Sequence, residues 1–258
     1  MVFQMMFSNP LVEPGFLGVS QGAAFGAAFS ILFLPAAFLY LQVSAALFGM
    51  LGLLCSYYLA KRFQFGGWIL RLILAGIAVS ALFASGLGVL QYTADPFSEL
   101  PEITFWLLGS LAGISWTRLW SITPVSVISL IILFAYRWRM NILSLTDRNA
   151  FSLGTRPGGE KLLVLFLAAA STAAVISVSG LIGWAGLIVP HIARRVLKTD
   201  TRYSLPGSML IGSAYLLICD TLARSASEAE IPLGILTSAA GALLFLIILT
   251  RRSTGASL

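Results

Sequence analysis

Charge and catalytic side chains are what this chain has least of. Asp, Glu, Lys and Arg make up 10% of its 258 residues, where a soluble globular domain carries roughly 25%. His191 is the one histidine, and Cys55 and Cys219 are the two cysteines. With no second histidine and no H-E-x-x-H sequence, a zinc site of the metalloprotease type has no ligand set. The cysteines form no C-x-x-C pair and stand in apolar runs, which points to packing rather than to metal or redox chemistry. A G-x-x-x-x-G-K-[ST] phosphate loop is absent, so nucleotide hydrolysis is not expected of this chain alone, and no cofactor is expected. The net charge of +6 comes without the aromatic-basic surface module of a nucleic-acid reader.

Apolar residues fill the space that charge leaves. They make up 58% of the chain, mean hydropathy is +0.93, and runs near or above the ~18 residues that cross a bilayer recur along most of the length. These features predict an all-α polytopic membrane bundle, with residues 1–258 as one domain. The opening stretch MVFQMMFSNP has neither a basic n-region nor an A-x-A-like cleavage site, so it is expected to be retained. Pro, Gly and charged breaks divide the rest into spans at 15–35, 36–60, 69–92, 119–136, 162–180, 204–224 and 232–250.

Seven spans conflict with the distribution of positive charge. Positively charged segments prefer the cytoplasmic side, which suits Lys61 and Arg62 and the stretch 137–161. Yet Arg194, Arg195, Lys198 and Arg202 follow shortly after an outward crossing. Parity returns if the chain turns near Gly180–Gly186 and comes back as a short helix from Leu187 to Leu197, an eighth crossing, with Pro190 in its first turn. Both termini are then cytoplasmic, and of the Lys and Arg residues only Arg118 and Arg224 stay outside. Eleven residues reach only ~16 Å at 1.5 Å per residue, so the lead-in must be buried in protein or line a watery cavity. Gly180, Gly183, Gly186, Pro190 and His191 thus mark either a transport pathway or a helix kinked for packing.

Other candidates are few. Asp220 and Arg224 stand four residues apart, one helical turn, as a structural ion pair or, less economically, a proton relay. His191 fits a packing role. Segment 95–118 is acidic, then amphipathic and aromatic, and is expected to lie as an outer-face helix with Trp106 and Trp116 in an aromatic belt. Residues 137–161 hold NILSLTDRNAFSLG, whose Leu143, Leu145, Phe151 and Leu153 either meet a cytoplasmic partner or fold back on the bundle. Arg118, Glu228 and Glu230 face outward under this topology.

The stretches GLIGWAGLIVPHIARRVLKTDTRYSLPG, CDTLAR and EIPLGILTSAAGALLFLIIL resemble the C-terminal half of FecCD-family permeases. NPLVEPGFLGVSQGAAFGA at 9–27, ITFWLLGSLAGISW and NILSLTDRNAFSLG are similar to further signatures of that family, in the same order. The resemblance implies the membrane subunit of an ABC importer for ferric siderophores, haem, cobalamin or molybdate, working by alternating access. Implied partners are cytoplasmic ABC ATPase subunits, an extracytoplasmic solute-binding protein, a second permease copy and the lipid bilayer. It carries an ATPase-coupling role onto Leu145, Asp147, Arg148, Ala150, Leu153 and Gly154. Two departures stand out. The family's NPL signature follows two helices that are missing ahead of Asn9, which fits a truncation or a misassigned start and keeps open a non-transporting scaffold. Asp200-Thr201-Arg202 stands where the family commonly has Asp-His-Arg.

Overall fold

The computed structural model describes residues 1–226 and 230–253, the side chains at 248, 249 and 251–253 excepted. Twelve helices follow one another: α1 Val2–Met6, α2 Val19–Phe33 after a 3₁₀ turn at Pro14–Leu17, α3 Phe38–Arg62, α4 Trp68–Thr93, α5 Glu99–Leu108 and α6 Trp116–Ala135, then α7 Arg137–Leu143, α8 Asp147–Ser152, α9 Pro157–Ser179, α10 Ala185–Leu197, α11 Thr201–Ser225 and α12 Leu233–Ser253. No strand occurs among the described residues. Helices α3, α4, α6, α9 and α11 are each long and apolar enough to cross a bilayer.

Loop contacts sort the bundle into two ends. At one, Ser8 Oγ donates to the Ser144 carbonyl (3.0 Å), Lys161 pairs with Asp147 (2.7 Å) and Asn141 bonds Asp200 (2.8 Å). At the other, Ser110 N donates to the Ser179 carbonyl (2.8 Å) and Leu233 N to the Gly109 carbonyl (2.9 Å). Between them run α2, α3, α4, α6, α9, α10, α11 and α12, eight passes with α10 the shortest at 13 residues. Lys61, Arg62 and the 137–161 and 194–202 positives share the first end, and Arg118 and Arg224 lie towards the second. Arg251, Arg252 and Glu228 lie outside the described side chains.

Glycine sets how closely the inner helices approach. Between apolar helices in lipid, van der Waals contact replaces the hydrophobic drive, and small residues let backbones meet. A Cβ on Gly22 would stand 2.3 Å from the Phe48 carbonyl oxygen, and one on Gly26 2.6 Å from that of Ser44, so α2 rides directly on the α3 backbone. Ser44 Oγ closes this seam by donating to the Gly26 carbonyl at 2.6 Å. Phe25, Phe29, Phe48 and Phe83 cluster beside it in stacked, tilted and edge-to-face pairs, with centroid separations of 5.1 to 6.4 Å, inside the range where ring quadrupoles attract. Helix α6, by contrast, leaves Trp120, Ile128 and Ile131 exposed and packs mainly on α9.

The expected spans lie within a few residues of the observed helices, with four differences. Segment 95–118 is not one helix: α5 stops at Leu108, Gly109 turns with φ +67°, and Trp116 to Arg118 form the first turn of α6, capped by Ser115. The short crossing starts at Ala185 rather than Leu187. Pro190 is accordingly the sixth residue of α10 and not in its first turn. In the 137–161 stretch Leu143 is fully buried, so it belongs to the bundle core and not to an exposed face.

Gly22→Ala is expected to destabilise the detergent-solubilised protein by about 1–3 kcal/mol, the usual cost of overpacking, because the added methyl meets backbone. Gly88→Ala, with open space around its Cβ position, should be neutral or stabilising by up to about 1 kcal/mol through helix propensity. Paired thermal melts check both signs.

Candidate translocation and coupling sites

The break between α9 and α10 is built from two interlocked glycine turns. Gly109 and Gly180 both take φ +67°, and a Cβ on either would come within 2.2 Å of the carbonyl oxygen of Leu181 or Trp106, respectively. Only glycine fits such a crossing. Trp184 also takes a positive φ, +65°, without being glycine, with its ring against Phe245 at 6.1 Å and its Cβ over Gly241. Such strain costs about 1–3 kcal/mol and persists only where packing imposes it.

Pro190 creates a second demand. It cannot donate to the Gly186 carbonyl one turn earlier, and an orphan carbonyl away from water is costly. The Gln4 side chain fills the gap, with Nε2 donating to the Gly186 carbonyl at 3.3 Å from a residue only 3% exposed. An N-terminal residue thereby completes the hydrogen bonding of a helix 182 positions away.

Two neighbouring cavities flank the break. One of about 470 Å³ is bordered by Glu13, Ser20, Gln21, Ser179 and the backbone of Gly180, Gly183 and Gly186. Another of about 300 Å³ continues past Val189 and Pro190, and Ser171, Thr172, Gly186 and Leu216 line both. Among the expected pathway residues, the three glycines and Pro190 border these spaces, whereas half-buried His191 borders neither.

At the opposite end, α7 and α8 form a braced platform. Pro157 opens α9, and Glu160 accepts from Arg156 N (2.9 Å) while taking both Nε and Nη2 of Arg139 (2.9 and 2.8 Å). The Lys161 ammonium, its side chain 5% exposed, reaches Asp147 Oδ1 at the start of α8. Thr155 Oγ1 donates to the Ala150 carbonyl at 2.7 Å. Leu145, Phe151 and Leu153 are exposed on this rigid unit, as are Arg148 and Gly154, the latter with φ +80°. Ala150 is fully buried, so it supports the platform from beneath and is no surface contact. Next to the platform, Asn141, Asp200 and Thr201 form a polar joint. The backbone N–H of Arg202 and the Asn141 amide both donate to the Asp200 carboxylate, holding its pKa below the usual carboxylate value.

On α11, Arg224 Nε meets Asp220 Oδ2 at 2.9 Å and Arg224 Nη2 reaches the Leu111 carbonyl at 3.1 Å, so the pair ties α11 to the loop after α5. GVSQG at 18–22 has the spelling of a hydrolase nucleophile elbow, a motif that needs a strand leading into its turn. Here a 3₁₀ turn precedes it, and Gly18 and Gly22 serve close packing against α3. Among the described residues no group of three or more His, Cys, Asp or Glu side chains is placed to hold a metal.

A sequence profile of the FecCD transport family matches residues 1–251. The chain belongs to the FecCD transport family. It is 39% identical over 255 residues to the molybdate import system permease protein of Haemophilus influenzae, covering 98% of this chain and 75% of that one. It is 36% identical over 256 residues to the hemin transport system permease of Yersinia pestis (97% and 76% covered) and 35% identical over 255 residues to the cobalamin import system permease of Halobacterium salinarum (99% and 68%). A solved metal-chelate type ABC transporter in an inward-facing conformation superposes with a TM-score of 0.92 at 38% identity, covering 97% of this chain and 79% of that one. This FecCD chain is a multi-pass membrane permease subunit of an ABC importer, a class in which ATP hydrolysis resides in separate subunits.

Gln4, Lys161 and the Asn141–Asp200–Thr201 joint were not legible as site residues. Pro190 does signal an orphan carbonyl at Gly186, but nothing in the chain's order says which distant side chain answers it. Gln4→Leu is expected to destabilise the protein by about 0.5–1.5 kcal/mol by removing the side-chain donor to the Gly186 carbonyl. Adding Pro190→Ala supplies a backbone N–H and should recover part of the loss. A double-mutant cycle by thermal denaturation, with a coupling of about 1 kcal/mol, checks it.

Proposed function

We propose that this permease carries an iron chelate (siderophore or haem), cobalamin or a similar solute such as molybdate across the cytoplasmic membrane, as one of two copies enclosing the path. The relatives' named cargoes support that solute range. Both termini are cytoplasmic in this reading, because nearly all positives share one end of the bundle. Cytoplasmic ATPases dock on that end, and an external solute-binding protein delivers cargo at the other, where Arg118 lies. The exposed apolar faces of α6 and α4 meet lipid or the second copy.

The observation that carries this reading is the platform: Leu145, Phe151 and Leu153 are exposed on short helices pinned by Lys161–Asp147 and Arg139–Glu160. Apolar side chains held rigidly in the open suit a protein partner better than solvent. Leu145, Asp147, Arg148, Leu153 and Gly154 are the proposed ATPase contacts, with buried Ala150 shaping the platform. Gly180, Gly183, Gly186, Pro190 and His191 belong to the moving broken helix beside the path. ATP binding in the partners biases two states of the bundle, and cargo needs only to bind those states differently.

Leu145→Asp with Leu153→Asp should reduce co-purification of the ATPase subunit roughly tenfold or more, the weight of losing an anchoring apolar contact. Undiminished co-purification would refute the docking assignment. ATP-dependent uptake into membrane vesicles, tested with ferric hydroxamates, haemin, cobalamin and molybdate, assigns the cargo, and no uptake of any of them would overturn the solute class.

A further inference from the structure

We infer that Asn141, with Asp200 and Thr201, is the joint through which movement of the ATPase-docking platform reaches the broken helix, making these positioning residues for transport. The inference rests on the docking role proposed above and adds the route by which force leaves the platform.

Geometry carries it. Asn141 lies on α7, next to the platform helix α8, while Asp200 and Thr201 sit where α10 hands over to α11. Asn141 Nδ2 donates to Asp200 Oδ1 at 2.8 Å, and Asn141 Oδ1 accepts from Thr201 N at 3.0 Å. The Thr201 hydroxyl stands between Asn141 Oδ1, at 2.7 Å, and the Arg137 carbonyl. Thr201 is fully buried, so these bonds are not exchanged for water without separating the helices. One amide thus grips both the last loop residue and the first helical residue of that hand-over. Lys198, two residues before Asp200, holds φ +65°, and Leu197 packs over Gly207 of α11, so α10 and α11 are closely joined at their turn. A pull on α7 is transmitted to both.

A helix cap alone does not account for the arrangement. Asp200 Oδ1 already caps α11 by accepting from Arg202 N at 2.9 Å, which needs no help from Asn141. Asparagine caps helices as well as aspartate does, so capping and coupling separate experimentally. Asn141→Asp sets two carboxylates against each other and breaks the joint. Asp200→Asn on its own sets an amide oxygen in place of Oδ1, which can accept from both Arg202 N and Asn141 Nδ2 and so keeps the cap and the joint.

The test uses the permease assembled with its ATPase subunit in proteoliposomes, spin-labelled at Cys55 on α3 and at Val196→Cys on α10, in a Cys219→Ser background. Both label positions are exposed. ATP should shift the distance between the labels in the otherwise unsubstituted protein. Asn141→Asp and the uncharged Asn141→Ala are expected to abolish that shift while the ATPase stays bound and hydrolyses ATP. Asp200→Asn, the conservative variant, is expected to retain the shift. A shift that persists in the Asn141 variants, or is lost in Asp200→Asn, overturns the joint while leaving the docking assignment intact. Failure of the unsubstituted protein to bind the ATPase overturns the docking assignment and the joint with it.

Discussion

In a bilayer the peptide bond has no water to fall back on, and a broken helix can persist there only if its neighbours complete its hydrogen bonds. That constraint governs the region around Pro190. Proline removes the donor for the Gly186 carbonyl, and Gln4 supplies one from the other end of the chain. The lead-in at 180–184 is held by Gly109 and Gly180, whose missing side chains allow two loops to pass within contact distance of each other's carbonyls. A helix of 13 residues can therefore stand among full-length crossings without facing lipid with bare backbone.

Rigidity and freedom are divided across the bundle, from one group of helices to another. The seam between α2 and α3 is backbone on backbone, through Gly22 and Gly26, and leaves little room for sliding. Helices α10 and α11 instead pack closely on each other and border open volume on the side facing α2. Packed cores switch between discrete arrangements more readily than they deform, so on the proposed mechanism the α2–α3 unit is the frame against which the broken helix shifts.

The platform at the other end follows the same logic with charges. Lys161 is buried at the start of α9, where an unpaired ammonium would be costly, and Asp147 neutralises it while fixing the first turn of α8. Arg139 and Glu160 add a bidentate pair across the same corner. The exposed leucines and Phe151 are thereby presented in one geometry, so a partner that docks there loses little to ordering.

Composition, hydropathy and the placement of Lys and Arg sufficed for the membrane class, the approximate crossings and the short eighth pass. These rest on local or one-dimensional physics: the length of an apolar run, and the side of the membrane that positive charge prefers. Sequence pattern misplaced the start of α10 by two residues, about half a turn, and merged α5 with the start of α6, because these starts are set by the packing of Trp184 over Gly241 and by the Ser115 cap rather than by periodicity. It left open whether Leu143 meets a partner or the bundle, since an amphipathic stretch does not say which of its apolar faces the bundle will cover, and the structure buries it. What only the tertiary structure decided is the pairing of distant polar groups, Gln4 with Gly186, Asn141 with Asp200 and Thr201, Lys161 with Asp147. The buried members, Gln4, Thr201 and Lys161, must find a partner once water is excluded, and which partner lies within reach is set by how the helices pack.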